Sequence, residues 1–168
     1  DHCFRARCER ANDQENSMLK AGDRAPEFTL PDQDGNEVSL ASLLTDGPLV
    51  LYFYPADFTP GCTKEACSIR DMHDDLLDAG VRVVGVSPQD GASHTRFRAK
   101  HGLQFSLLAD VDKQAVKAFG VDGPLGLGVR RATFLIGQDG VIQDMVLADV
   151  MVGKHADFIR RAAAAARA

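Results

Sequence analysis

The chain has no tryptophan, only two tyrosines and only four cysteines in 168 residues. Four cysteines are too few for the disulfide framework of a small secreted scaffold, and a chain of this length buries an adequate core without disulfides or a structural metal. A reducing compartment, the cytoplasm, is therefore expected. No apolar run approaches the ~20 residues that a helix needs to cross a bilayer, so no membrane span is expected. Basic residues are in the minority, 19 Lys and Arg against 24 Asp and Glu, and no basic stripe interleaved with aromatics occurs. That balance argues against nucleic acid as a partner. The five histidines are scattered without metal-ligand spacing; His73 reads as a packing or boundary residue on a helix and the others as surface residues. No GxGxxG motif follows a strand, and a phosphatase loop of the C-x5-R type fails because Ser68 stands where the arginine belongs.

What remains is an ordinary globular composition, 45% apolar and 26% charged, consistent with one domain. Residues 1–17 form a polar tail without the apolar core of a secretory signal, and carry Cys3 and Cys8. The globular domain is read as 18–168. Met18 marks a candidate natural start, the preceding residues being an extension, a processed remnant or a foreign addition.

From Glu27 the pattern is a short strand, an Asp34-Gly35 turn and a second short strand, with a short helix after it at 41–44. "PLVLYFY", 48–54, is apolar almost throughout and too short for a helix, so it reads as a central strand buried on both faces. A helix is expected over 62–79, with Ala66, Ile69, His73, Leu76 and Leu77 near one face and Gly80 ending it. Strands at 81–87 and 105–108 and helices at 93–101 and 113–119 follow. Strands at 131–136 and 141–147 are joined by "GQDG", and an Ala-rich helix at 154–166 closes the chain. Strands alternating with helices, then a terminal hairpin and one last helix, make an α/β sandwich on a mixed sheet, the thioredoxin-like arrangement, with an N-terminal β-hairpin added.

The chemistry centres on "FYPADFTPGCTKEACSIRD", 53–71. Cys62 falls in the first turn of its helix, where unpaired backbone N–H groups and the positive end of the dipole favour thiolate over thiol. Thr59-Pro60-Gly61 keeps the helix from starting earlier. Cys67 lies five residues on, so an intact helix separates the two Cα atoms by ~8.7 Å and ~140°. A disulfide wants roughly 4.4–6.8 Å. The pair bonds only if the first turns unwind, which suggests a cycle in two conformations, one in which Cys62 reacts and one in which Cys67 resolves. Thr59 offers a hydroxyl near the sulfur, Pro55 a shield against water, and Glu65 is either a dipole-favouring carboxylate or part of the site.

"PADFTPGCTKEAC" resembles the peroxiredoxin motif PxxxTxxC, and the second cysteine five positions later resembles the Q-type peroxiredoxins, or bacterioferritin comigratory proteins, of the AhpC/TSA superfamily. The resemblance spans Leu19 to Ala168, from "AGDRAPEFTLPDQDGNEVSL" through "VRVVGVSPQD" to "RRATFLIGQDGVI". It implies a thiol-dependent, antioxidant peroxidase acting on hydrogen peroxide and organic hydroperoxides, with no metal or organic cofactor. Cys62 would be the peroxidatic cysteine, Thr59 the hydroxyl that hydrogen-bonds peroxide, and Pro55 the residue that shields the thiolate. Arg131, in "RATF", would be the essential arginine in preference to Arg130, Glu65 would orient it, and Cys67 would resolve. Arg131, Thr59 and the Cys62 N–H are expected to donate to the oxygen that gains charge. Thioredoxin or a glutaredoxin would reduce the disulfide, and the protein would be a monomer. The Gly-rich "DGPLGLGVRR", 122–131, departs from the more aromatic stretch expected there.

Two rivals stand against this reading. A thiol–disulfide oxidoreductase of the same fold would carry CxxC in place of this wider spacing. A four-cysteine zinc module built from Cys3, Cys8, Cys62 and Cys67 would need the last two to converge, whereas on one helix they point apart.

Overall fold

The computed structural model describes residues 18–149, 151 and 153–167, so the tail with Cys3 and Cys8 lies outside the described residues. In chain order the elements are β1 (Thr29–Pro31), β2 (Glu37–Ser39), α1 (Leu40–Leu43), β3 (Leu49–Phe53), α2 (Pro60–Asp71), α3 (His73–Asp78), β4 (Arg82–Ser87), α4 (Gly91–His101), β5 (Ser106–Ala109), α5 (Gln114–Ala118), β6 (Ala132–Ile136), β7 (Ile142–Leu147) and α6 (Gly153–Arg167), with a 3-10 turn at Pro124–Gly126. The main sheet runs β5-β4-β3-β6-β7; β3, β4 and β5 are parallel, and β6 and β7 antiparallel to their neighbours. Beside it, β1 and β2 form the separate hairpin expected from the sequence. Asp32 makes that turn by accepting the N–H groups of Asp34 and Asn36, and Gly35 supplies the positive φ of 82°. Among the described residues no helix is long and apolar enough to cross a membrane.

β3 is buried along its whole length, as its unbroken apolar run requires of a central strand. Its pleat divides the core. Leu49, Leu51 and Phe53 face the side covered by α5, α1 and the hairpin, and Val50, Tyr52 and Tyr54 face the side covered by α2, α4 and α6. Cys62 belongs to the second cluster, which fixes the chemistry to the α2–α6 face.

One expected element differs. The single helix over 62–79 is two, α2 and α3, broken at Met72 (φ −104°, ψ 7°). Asp74 and Asp75 occupy the first turn of α3, where carboxylates favour a new helix N-terminus. The break resets the phase, so that Leu76 is fully buried while Leu77, expected on the same face, is 59% exposed. α2 also starts two residues earlier than expected, because proline at N1 gives up only an N–H that has no helical partner there.

Candidate active site

β3 delivers the chain through Tyr54 and Pro55 into a loop that ends at Thr59, the N-cap of α2. Thr63 N donates to Thr59 O at 2.9 Å as the first intrahelical bond. The amides of Gly61 and Cys62 therefore precede the helical ladder and point their N–H groups out of the N-terminus, beside the sulfur. The loop is held by a buried carboxylate. Asp57 accepts from Tyr54 Oη (2.6 Å) and Ser93 Oγ (2.7 Å), and its Oδ2 lies 2.7 Å from His94 Nδ1, while His94 Nε2 reaches the Leu108 carbonyl at 3.1 Å. Burial pushes the Asp57 carboxyl up, but the hydrogen bonds from His94 and Tyr54 outweigh it and hold the group below its ordinary value. Asp57→Asn sets an amide donor against these donors and should lower stability by about 2 kcal/mol, read as a shift in the urea midpoint at constant slope.

Arg131 reaches the sulfur from the start of β6. Its Nη2 donates to Cys62 Sγ at 3.2 Å and its Nη1 to Glu65 Oε1 at 3.0 Å. Cys62 and Glu65 are each 1% exposed and Arg131 6%. Burial pulls the guanidinium down, but the charges of Glu65 and Cys62 hold it above its ordinary value. Burial pushes Glu65 up to about 7, the attraction of Arg131 drawing it back only in part. The second Glu65 oxygen, Oε2, has no hydrogen bond among the described residues, where one donor group, Arg131, serves the buried carboxyl. His155, from α6, lies 3.6 Å from that oxygen. Its Nε2 faces the Ala148 carbonyl at 2.9 Å, and burial lowers its affinity for a second proton. Nε2 thus carries the proton, and Nδ1 accepts from Thr133 Oγ1 at 2.8 Å. Asp149 steadies Arg131 from behind, accepting its backbone N–H at 2.9 Å and pairing with Arg130 at 2.9 Å.

This constellation places a sulfur, a helix N-terminus and a guanidinium fork in one buried site, an arrangement suited to attack by a thiolate on a small electrophile whose departing atom gains negative charge. A cavity of about 610 Å³ lies at the other end of the sheet, lined by Pro48, His73, Leu77 and Arg82 among others, and shares no residue with this site.

The AhpC/TSA family model matches residues 21–145. The chain belongs to the AhpC/TSA family. It is a peroxiredoxin of the Bcp and Q group: it is 44% identical to peroxiredoxin Bcp of Escherichia coli K12 over 147 residues, 84% of this chain and 93% of that protein. It is 47% identical to the chloroplastic peroxiredoxin Q of Oryza sativa subsp. japonica over 126 residues, 74% of this chain and 58% of that one. Among solved structures, peroxidoxin BcpB from Mycobacterium tuberculosis superposes with a TM-score of 0.81 at 38% identity, covering 90% of this chain and 97% of the other. The bacterioferritin comigratory protein of Xanthomonas campestris, described for alkyl peroxide reduction activity, gives 0.76 at 33% identity, covering 82% and 90%. The thioredoxin-like fold and thiol peroxidase activity follow from that membership.

Within this peroxiredoxin the structure brings Cys62, Glu65 and Arg131 into direct contact. Arg130 sits outside, paired with Asp149 and 40% exposed at its side chain. Pro55 is half-buried at the exit of β3. Thr59 differs from the expected donor: its hydroxyl donates to the Ala56 carbonyl at 2.9 Å, so it offers an incoming molecule lone pairs and not its proton. Cys67 is half-buried on the unbroken α2, its thiol free like that of Cys62. The expectation that His94 and His155 lie at the surface is overturned, since both are fully buried in hydrogen-bonded networks. The overlooked signal was periodicity: His94, Phe97 and His101 recur at i, i+3, i+7, and His155, Ile159 and Ala162 at i, i+4, i+7, the stripes that α4 and α6 turn inward. Among the described residues no group of three or more His, Cys, Asp or Glu is placed to hold a metal ion.

Proposed function

We propose that this peroxiredoxin reduces hydrogen peroxide and organic hydroperoxides in the cytoplasm as a monomer, with Cys62 as the peroxidatic and Cys67 as the resolving cysteine. The observation that carries the assignment is the 3.2 Å contact from Arg131 Nη2 to Cys62 Sγ at the N-terminus of α2. The Cys62 thiolate attacks one peroxide oxygen; the O–O bond breaks, Cys62 becomes a sulfenic acid, and the departing alkoxide or hydroxide takes a proton from solvent. Thr59 accepts from the peroxide O–H and so orients it, while the guanidinium N–H groups not engaged by Glu65 and the Cys62 N–H face the oxygen that gains charge. Pro55 shields the thiolate from water. α2 then unwinds, Cys67 displaces water from the sulfenic acid, and thioredoxin or a glutaredoxin reduces the resulting disulfide.

Lacking tryptophan, the chain is best followed by competition with a haem peroxidase for one equivalent of hydrogen peroxide. The expected result is a second-order rate constant orders of magnitude above that of a free thiol, ending in a Cys62–Cys67 bond by peptide mass spectrometry. A rate no faster than that of free cysteine would mean that Cys62 is not activated, and would move the disulfide oxidoreductase or the zinc-binding module ahead.

A further inference from the structure

The sulfur of Cys67 has a base beside it. Cys67 Sγ lies 3.8 Å from Nδ1 of His101, the last residue of α4. We propose that His101 takes the proton of the Cys67 thiol, so that Cys67 enters disulfide formation as a thiolate; this rests on the reading of Cys67 as the resolving cysteine.

His101 is held at its ring and at its backbone. Phe97, fully buried and one turn earlier on α4, meets its ring edge-on, with centroids 5.1 Å apart and planes at 69°. From α2, Arg70 Nη1 donates to the His101 carbonyl at 2.8 Å, three residues after Cys67 on the same helix. The two helices are thus joined at this level by both a backbone acceptor and the thiol. Phe97 also packs against Phe58 in the loop before Cys62, centroids 5.3 Å apart, so one ring buttresses both the His101 end of α4 and the lead-in to the reactive cysteine. Of the charged side chains on these two helices, Arg70 is bonded to Asp71 at 3.0 Å, and Lys100 lies over Phe58 at 5.8 Å. Proximity of Cys67 is one of the influences that hold the Arg70 guanidinium above its ordinary value, after its hydrogen bond to Asp71.

The chemistry needs such a group. Resolution is attack of a thiolate on the sulfenic sulfur, and a thiol contributes only through its ionised fraction. Neutral imidazole is the side-chain base suited to neutral pH. The S–H proton passes to His101 Nδ1 while α2 is folded. When α2 opens, the Cys67 thiolate bonds to Cys62 Sγ, the S–O bond breaks, and the hydroxide leaves with one proton as water; His101 returns its proton to solvent. One water is released and the sulfur electrons balance.

The test reads the first-order conversion of sulfenic acid to disulfide, by quench-flow with dimedone trapping and mass spectrometry, after the peroxide is consumed. In His101→Gln, which keeps a polar side chain but no base, the conversion at pH 7 should be about tenfold slower. The deficit should close at about pH 9.5, where hydroxide deprotonates thiols unaided, and His101→Asn should behave alike. An unchanged rate overturns the proposal. So does an equal loss at every pH, which would make the imidazole a packing group. Absence of any Cys62–Cys67 bond in the wild type would instead remove the resolving role of Cys67 itself.

Discussion

Arg131→Met should lower the second-order rate constant for peroxide about 10³-fold at pH 7.5, measured by the same peroxidase competition. Two contacts vanish together, the donor to Cys62 Sγ and the donor to Glu65 Oε1. In the proposed mechanism the first favours the thiolate form of the attacking sulfur, and its neighbouring N–H groups meet the charge that develops on the departing oxygen. Removing one preorganised donor of this kind typically costs about 10²–10³ in rate, and here the whole cationic fork is lost. Methionine preserves much of the buried volume. Glu65, already pushed up to about 7, takes a proton when its cation is gone, so that no bare charge is left buried at neutral pH and the fold survives to be assayed. Arg131→Lys should fall between the two, since one ammonium keeps the charge but cannot span both partners as the fork does. A rate for the methionine variant within tenfold of wild type would remove Arg131 from the reaction.

The position of Arg131 shows how far local sequence carries. The resemblance of "RATF" to the peroxiredoxin pattern singled out Arg131, and alternation along an extended chain adds only that Arg130 and Arg131 face opposite ways, so that one of them alone can reach the sulfur. β3 was equally plain, since a continuous apolar run closed by Pro55 has few alternatives to a central strand. The Cys62 setting was legible for the same reason: Pro60 and Gly61 are local punctuation, and the helix dipole acts locally. The break at Met72 was not, because the apolar pattern reads straight through it, and Asp74 and Asp75 look the same on the solvent face of one long helix as in the first turn of a second. Asp149 and Thr133 were beyond reach, their roles arising from strand pairing and α6 packing between residues far apart in the chain. His155 and His94 had a readable periodicity, but a lone histidine carries no sign of its partner. The direction of the Thr59 hydroxyl is finer still, resting on an acceptor in the loop, Ala56 O, that sequence does not place.

Glu65→Gln should remove the loss of stability that the Glu65 carboxyl imposes between about pH 4.5 and 7. Burial, partly offset by Arg131, raises the Glu65 carboxyl from 4.5 to about 7 in the folded protein. The folded state therefore binds this proton more tightly than the unfolded state, and the stability from that difference is fully present below pH 4.5 and lost as pH rises through about 7. The gap between the two values corresponds to a decline of about 3 kcal/mol, at about 1.4 kcal/mol for each pH unit of difference. Urea unfolding at pH 5 and pH 8 reads it as a difference between the two proteins: relative to wild type, the glutamine variant, which keeps an oxygen for Arg131 Nη1 without a buried charge, should gain stability on going to pH 8 and be the more stable of the two there, while the opposite contribution of buried His155 is common to both. Parallel profiles for the two proteins would show that Glu65 does not titrate in this range. The sign bears on function, because a carboxylate that weakens the fold in the pH range above 7 is not explained by stability. In the proposed mechanism it fixes the plane of the Arg131 fork so that Nη2 meets the sulfur, and loss of that electrostatic hold should reduce the peroxide rate of Glu65→Gln by about tenfold while its fold becomes firmer at pH 8.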